Sequence, residues 1–367
     1  MEHKMKIKTI TCHNVYNFGA SLQAYALAAY LQREGHEIEI IDYQPLYLRR
    51  YRLAGVPNPK FDRPVWRQAY QIAKFPGRLF DRITSRRKKA FDHFTAEYLP
   101  LTSDFYADFD ALRSAPPEAD LYIAGSDQIW NPVFPNGKDP AFFLNFVPEG
   151  KRRISYAASF AVEALEKPEA DRMCRWLERL DAISVRESSA VRLLAEMGLA
   201  GIQVVDPVFL LPRKDWVAMA AAPGSRGYIL VYDFDGSPRV REIARHISHR
   251  TGKKIVSLFP SDWADVTWTE IGPLEFLGAV LNADIVLSNS FHATAFSLIF
   301  QKDFYVVNRT EHINTRMQDL VGDLGLSDRL ISAPPEEIVP VGYTAAAPRL
   351  EQKIATSRAY LTAQTSN

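Results

Sequence analysis

Between residues 6 and 42 the chain reads KIKTIT, CHNVYNFGA, SLQAYALAAYLQRE, GH and EIEIID in unbroken succession. The outer pieces, 6–11 and 37–42, are short β-rich runs. The stretch 21–34 places Leu22, Tyr25, Ala26, Ala29 and Tyr30 on one helical face. Gly35 then stands where a helix terminates in a left-handed residue. Strand, helix and strand in that order predict a βαβ unit with a right-handed crossover, the seed of a doubly wound parallel sheet.

Outward from this unit the alternation stops between Pro45 and Pro116, a region rich in Arg, Lys and aromatic residues. It reads as a helical insertion, with helices at 65–73 and 78–98. Its basic run, Ser85-Arg-Arg-Lys-Lys-Ala90, suits an anionic lipid surface or glycan, and a solvated helix face is the plainer reading. Strands resume at 120–124, 153–157, 182–185 and 203–205, with helices at 167–180 and 188–197. Asp206-Pro207 ends the pattern, and 211–216 (LPRKDW) reads as a linker. A second set follows, with strands at 228–232, 254–258, 284–288 and 304–307 and helices at 238–250, 273–282 and 292–300. The expectation is an α/β chain of two doubly wound domains, 1–210 and 211–345, with a helix and tail at 346–367.

The 367 residues are too many for one compact core, and 47% hydrophobic with 24% charged is a globular composition. A net charge of +1 selects neither nucleic acid nor membrane as partner. Apolar runs such as 293–300 are too short to cross a bilayer, and the N-terminus lacks the apolar core of a signal peptide. Two cysteines make no disulfide framework. The expected location is cytoplasmic, with peripheral contact at the inner face of the membrane through the basic run.

Ligands of open α/β sheets gather at the carboxyl ends of strands, so the strand-to-helix loops carry the candidate chemistry. The loop 12–21 offers Asn17, Gly19 for close backbone approach and Ser21 as a helix cap, either as an anion cradle or as plain turn and cap residues. With one glycine it lacks the dinucleotide fingerprint. Cys12 beside His13 reads as a buried strand-end thiol rather than a nucleophile. The loop 125–132 (GSDQIWNP) suits hydroxyl recognition, or forms an Asx-type turn with Trp130 packed beneath it. The loop 288–294 (SNSFHAT) sets His292 at a helix N-terminus, where a histidine exchanges protons near neutral pH or serves structure alone. Arg186, at the end of 182–185, is placed to grip a carboxylate or phosphate, or to pair with Glu187 or a neighbouring helix.

Taken in order, NFGASLQAYAL (17–27), GSDQIWN (125–131), SYAASF (155–160), ISVRE (183–187), VDP (205–207) and SFHATAFSLIF (290–300) resemble the polysaccharide pyruvyl transferase family. The resemblance implies a GT-B-like fold, two Rossmann-like domains facing a cleft. It implies phosphoenolpyruvate as donor and, as acceptor, a sugar of a cell-surface polysaccharide or its lipid-linked precursor, joined as a pyruvate ketal. The family's catalytic histidine falls on His292 and its donor arginine on Arg186. Some members carry a basic residue two positions before that histidine, where this chain has Ser290. The missing charge then falls to the helix N-terminus, Arg309 or Arg316.

On this reading the donor set is Arg186, Ser290, Asn17, Gly19, Ser21 and Arg316, and the acceptor wall is Ser126, Asp127 and Gln128. No cofactor is implied, and no close-spaced His, Cys and carboxylate cluster requires a metal. Two other readings stay open: a nucleotide-sugar glycosyltransferase on the same fold, and a non-catalytic protein that binds a glycan or partner.

Overall fold

The computed structural model describes residues 4–48, 85–309 and 315–366. The helix expected at 65–73 and the start of that at 78–98 lie outside these residues. In the first half the strands are β1 Lys6–Ile10, β2 Glu37–Tyr43, β3 Leu101–Tyr106, β4 Leu121–Ala124 and β5 Arg152–Ser155. They form one parallel sheet in the order β3-β2-β1-β4-β5. Single bridges from Ile154 to Ala182 and from Ala158 to Val185 extend it to a small pair, β6 Ser184–Val185 and β7 Ile202–Gln203.

The second half repeats the plan with β8 Ile229–Tyr232, β9 Ile255–Ser257, β10 Val266–Thr267, β11 Ile285–Ser288, β12 Asp303–Val307 and β13 Leu330–Ile331. Its parallel order is β10-β9-β8-β11-β12-β13. Both sheets therefore reverse direction of growth beside their first strand, between β1 and β4 and between β8 and β11. Crevices at such points hold the ligands of doubly wound folds. Every residue of β8 and β11 is buried, as parallel strands covered on both faces require.

The helices are α1 Phe18–Arg33, α2 Arg86–Tyr98, α3 Phe109–Ser114, α4 Lys167–Leu177, α5 Ser188–Glu196, α6 Arg213–Met219, α7 Pro238–Thr251, α8 Pro273–Asn282, α9 Phe291–Phe300, α10 Thr315–Asp323 and α11 Tyr343–Thr365. No described helix is long and apolar enough to cross a membrane. The expected one-sided face of α1 is only half of the outcome: thirteen of its sixteen residues are buried. Its second side packs on α8 and α9 of the other half, with Phe18 stacked on Phe276 at 4.6 Å. One hydrophobic core, with Ile7 and Leu22 at one end and Leu230 and Phe296 at the other, thus crosses between the halves.

Three expectations are corrected. The region 45–116 is not wholly helical, because β3 joins the edge of the first sheet. Its middle residues Ser103, Asp104 and Phe105 are exposed, so its polar sequence carries no core alternation. The segment 211–216 is not a linker: it enters α6, whose Trp216 is fully buried, donates to the Val208 carbonyl at 3.0 Å and meets Phe296 edge-on at 5.1 Å. In the basic run, Arg87 is not on a solvated face; its guanidinium lies 4.4 Å from the centre of the Phe18 ring. The helix expected at 346–367 is present as α11, which begins in the second half, where the Tyr343 hydroxyl donates to the Ser297 carbonyl at 3.1 Å. It ends against the first, where the Tyr360 hydroxyl donates to the Ser155 carbonyl at 2.9 Å and Ser357 Oγ accepts from Val205 N–H at 2.9 Å.

Candidate active site

The loops that leave β1, β4, β8 and β11 meet around one cavity of about 420 Å³. Asn17 comes from the first loop, Asp127 and Gln128 from the second, Phe234 from the third, and Ser290 and His292 from the fourth; Arg309 and Arg316 complete the wall. Both sheet reversals therefore contribute to a single crevice, as the fold predicts.

Helix α9 begins where Ser290, in extended backbone, accepts a hydrogen bond from Ala293 N–H at 3.4 Å. That cap puts His292 in the first turn, with its ring lying on α1. A Cβ built on Gly19 would fall 1.9 Å from His292 Nδ1, so only glycine leaves room for the imidazole. The other ring nitrogen, Nε2, faces Asp206 Oδ2 at 3.5 Å.

Asp206 is the junction of the site. Fully buried, it caps the short turn after β7 by accepting from Val208 N–H at 3.0 Å, and its Oδ2 lies 3.3 Å from Arg186 Nη1. Burial by itself pushes the carboxyl up; the charge of Arg186, then that of His292, outweighs it and holds Asp206 at about 2. Arg186 also donates to Ser126 Oγ at 2.9 Å and lies 3.5 Å from Asp127. Its guanidinium sits 4.8 Å from the centre of the Phe291 ring, and that of Arg316 sits 5.6 Å from the same ring. Arg316 approaches Asp127 at 3.9 Å, and its pKa is lowered to about 10 by burial and then by the neighbouring Arg186. Two buried guanidiniums thus flank one ring and share the Asp127 carboxylate, planar forks of the kind that bind carboxylates and phosphates.

Glu187 is not the partner of Arg186 by hydrogen bonding. It is buried with Oε1 accepting from Ser159 Oγ and from the N–H groups of Phe160 and Ala161 at 2.9–3.0 Å. Desolvation pushes its carboxyl up despite those bonds.

The remaining sequence candidates divide. Asn17 lines the cavity and caps α1, accepting from Ala20 N–H at 3.2 Å. Ser21 is therefore not the cap; it lies inside α1, buried, because Phe18 already packs as helix. Ser126 does not face an acceptor, since its hydroxyl is fully buried and donates to the Ala157 carbonyl at 2.9 Å while receiving Arg186. Asp127 and Gln128 do reach the cavity. Trp130 packs beneath their loop, with Nε1 donating to the Phe142 carbonyl at 2.9 Å. Cys12 and Cys174 are free. Burial, then Asp127 and Asp139, push the Cys12 thiol well up, which disfavours the thiolate. Asp206 was missed as a site residue because Asp-Pro reads locally as a turn; its presence in the VDP stretch was the available signal.

A family model described as polysaccharide pyruvyl transferase matches residues 17–311. No curated protein sequence gives a significant match. Solved structures similar to the chain include a UDP-N-acetylglucosamine 2-epimerase from Rickettsia bellii at 12% identity and TM-score 0.49, over 98% of this chain and 95% of that one. The UDP-GlcNAc 2-epimerase from Methanocaldococcus jannaschii aligns at 12% identity and TM-score 0.47, over 96% and 92%. UGT89C1 from Arabidopsis thaliana aligns at 10% identity and TM-score 0.44, over 97% and 94%.

Proposed function

The chain belongs to the polysaccharide pyruvyl transferase family, and we propose that it transfers pyruvate from phosphoenolpyruvate to two hydroxyls of a sugar acceptor, closing a ketal and releasing phosphate. The acceptor on this reading is a sugar of a cell-surface polysaccharide or its lipid-linked precursor. The observation that carries the proposal is the buried pair Arg186 and Arg316 around Phe291: Arg316 lines the His292 cavity, and Arg186 is joined to His292 through Asp206. The donor carries a carboxylate and a phosphate, and two rigid guanidiniums supply the matching charge where Ser290 supplies none.

The chemistry follows from the donor. A proton delivered to the methylene carbon makes C2 electrophilic, and His292 is the group placed to hold that proton. One sugar hydroxyl bonds to C2 and gives its proton to His292, restoring the one passed to the methylene carbon. A second hydroxyl then displaces phosphate from the same carbon, and its proton leaves with the phosphate. Asp206, through its contact with His292 Nε2, orients the ring, while Asn17, Asp127 and Gln128 offer hydrogen bonds to the sugar hydroxyls.

Phosphate release from phosphoenolpyruvate, measured with galactose-, mannose- and glucosamine-containing acceptors, tests the reading. Acceptor-dependent release that falls by roughly 10²–10⁴ in His292→Ala is the expected result. Absence of release with every acceptor, together with thermal stabilisation by a nucleotide sugar, would replace it with the glycosyltransferase reading.

A further inference from the structure

A second cavity, of about 360 Å³, shares Phe291 and Arg316 with the first. Its wall takes Arg186 and Asp206 from the site, Asp323 from α10, and Arg349 and Lys353 from α11. Helix α11 spans Tyr343–Thr365 and lies wholly beyond the residues 17–311 matched by the family model. Its contribution to this wall is thus additional to anything the motifs carry.

Two features make the cavity a built site. The Nε–H groups of Arg186 and Arg316 are buried without a hydrogen-bond partner, although the two residues are only 5% and 8% exposed. Buried donors of this kind call for an acceptor. The charge count points the same way. Lys353 pairs with Asp323 at 2.7 Å, Arg186 with Asp206 at 3.3 Å and Arg316 more loosely with Asp127 at 3.9 Å, so the four cations of the wall, Arg349 among them, outnumber the carboxylates that meet them. Burial first, and then the neighbouring Arg186, lower the pKa of Arg316, and an anion beside the guanidinium would offset both.

We infer that this second cavity is a phosphate site, in which Arg186 and Arg316 grip the dianion from the site and Arg349 and Lys353 grip it from α11. The inference rests on the transferase reading only for the source of the phosphate, which is either the phosphoryl end of the donor or the ion released from it. The sugar then occupies the His292 cavity, and its hydroxyls reach the donor's C2 from the side of Phe291 opposite the phosphate.

Calorimetric titration of the full chain with inorganic phosphate, and separately with phosphoenolpyruvate, tests this. The variants are Arg349→Gln and the double variant Arg349→Gln/Lys353→Gln. Arg349 is exposed, so its variant folds, and an unchanged unfolding midpoint verifies this. Wild type should bind phosphate, the single variant should bind it more weakly, and the double variant should lose at least tenfold in affinity. Phosphate that displaces phosphoenolpyruvate marks the cavity as holding the donor's phosphoryl end; simultaneous binding marks it as holding the free ion. Absence of phosphate binding by wild type, or equal affinity in the double variant, overturns the inference. Phosphate binding that depends on α11, without acceptor-dependent release, would sink the donor reading and leave the phosphate site standing.

Discussion

Helices α1 and α9 begin at the two sheet reversals, and they start by the same local rule to opposite ends. Each is capped by a small polar residue in extended backbone, Asn17 in one and Ser290 in the other. Two positions after its cap, α1 carries Gly19 and α9 carries His292. The imidazole of the second lies in the space the first leaves empty. Two helix starts capped alike thus differ in one side chain's volume, and that difference makes one a receptacle and the other a reactive group.

The largest effect comes from filling the receptacle. Gly19→Ala ordinarily gains about 1 kcal/mol of helix propensity, yet its Cβ would strike His292 Nδ1. Turnover should fall by roughly 10²–10⁴, as in His292→Ala, while the protein stays folded. The two losses should not add in the double variant, since both remove the same placed ring. A Gly19→Ala enzyme with full turnover would show that the ring is not held there.

Next in size is the charge supplied by the first half. Arg186→Met leaves Asp206 buried without its main partner and should cost about 3–5 kcal/mol in urea unfolding. The pH dependence has a fixed sign. Asp206 is held at about 2, below its ordinary 3.8, so its pairing contributes above roughly pH 4 and is lost as the pH falls through 2. Without Arg186 the lowering is lost and acid unfolding should begin at a higher pH. Identical acid transitions in the two proteins would mean that Asp206 does not depend on Arg186.

The smallest effect tests the rule the two helices share. Asn17→Ala and Ser290→Ala should each cost about 0.5–2 kcal/mol, the usual worth of an N-cap. A negligible loss at either helix would show that burial alone fixes its start, and the comparison would then rest on packing rather than capping.

Much of this was legible beforehand. The 6–42 unit, the helix at 273–282 and the strand-end placement of Arg186 and His292 follow from periodicity and turn chemistry, which neighbouring residues settle. The misreadings share a cause. The strand β3 hides behind exposed polar residues at a sheet edge, α1 was given one buried face although a second half closes over the other, and Trp216 looked like linker because its partners Val208 and Phe296 belong to other elements. Ser126 looked like a hydroxyl recogniser, yet its partner Arg186 lies 60 residues on and turns it inward.

By itself the sequence determined the alternation of strands and helices, the loops that end at the sheet reversals and the residue types those loops carry. Hydrophobic period and helix caps act over a few residues, so a linear reading captures them. Only the tertiary structure decided that Gly19 receives His292, that Asp206 joins His292 to Arg186, and that α11 returns to wall a second cavity. A buried charge takes its partner from whichever loop faces it across the crevice, and that is set by how the two sheets and α1 pack together.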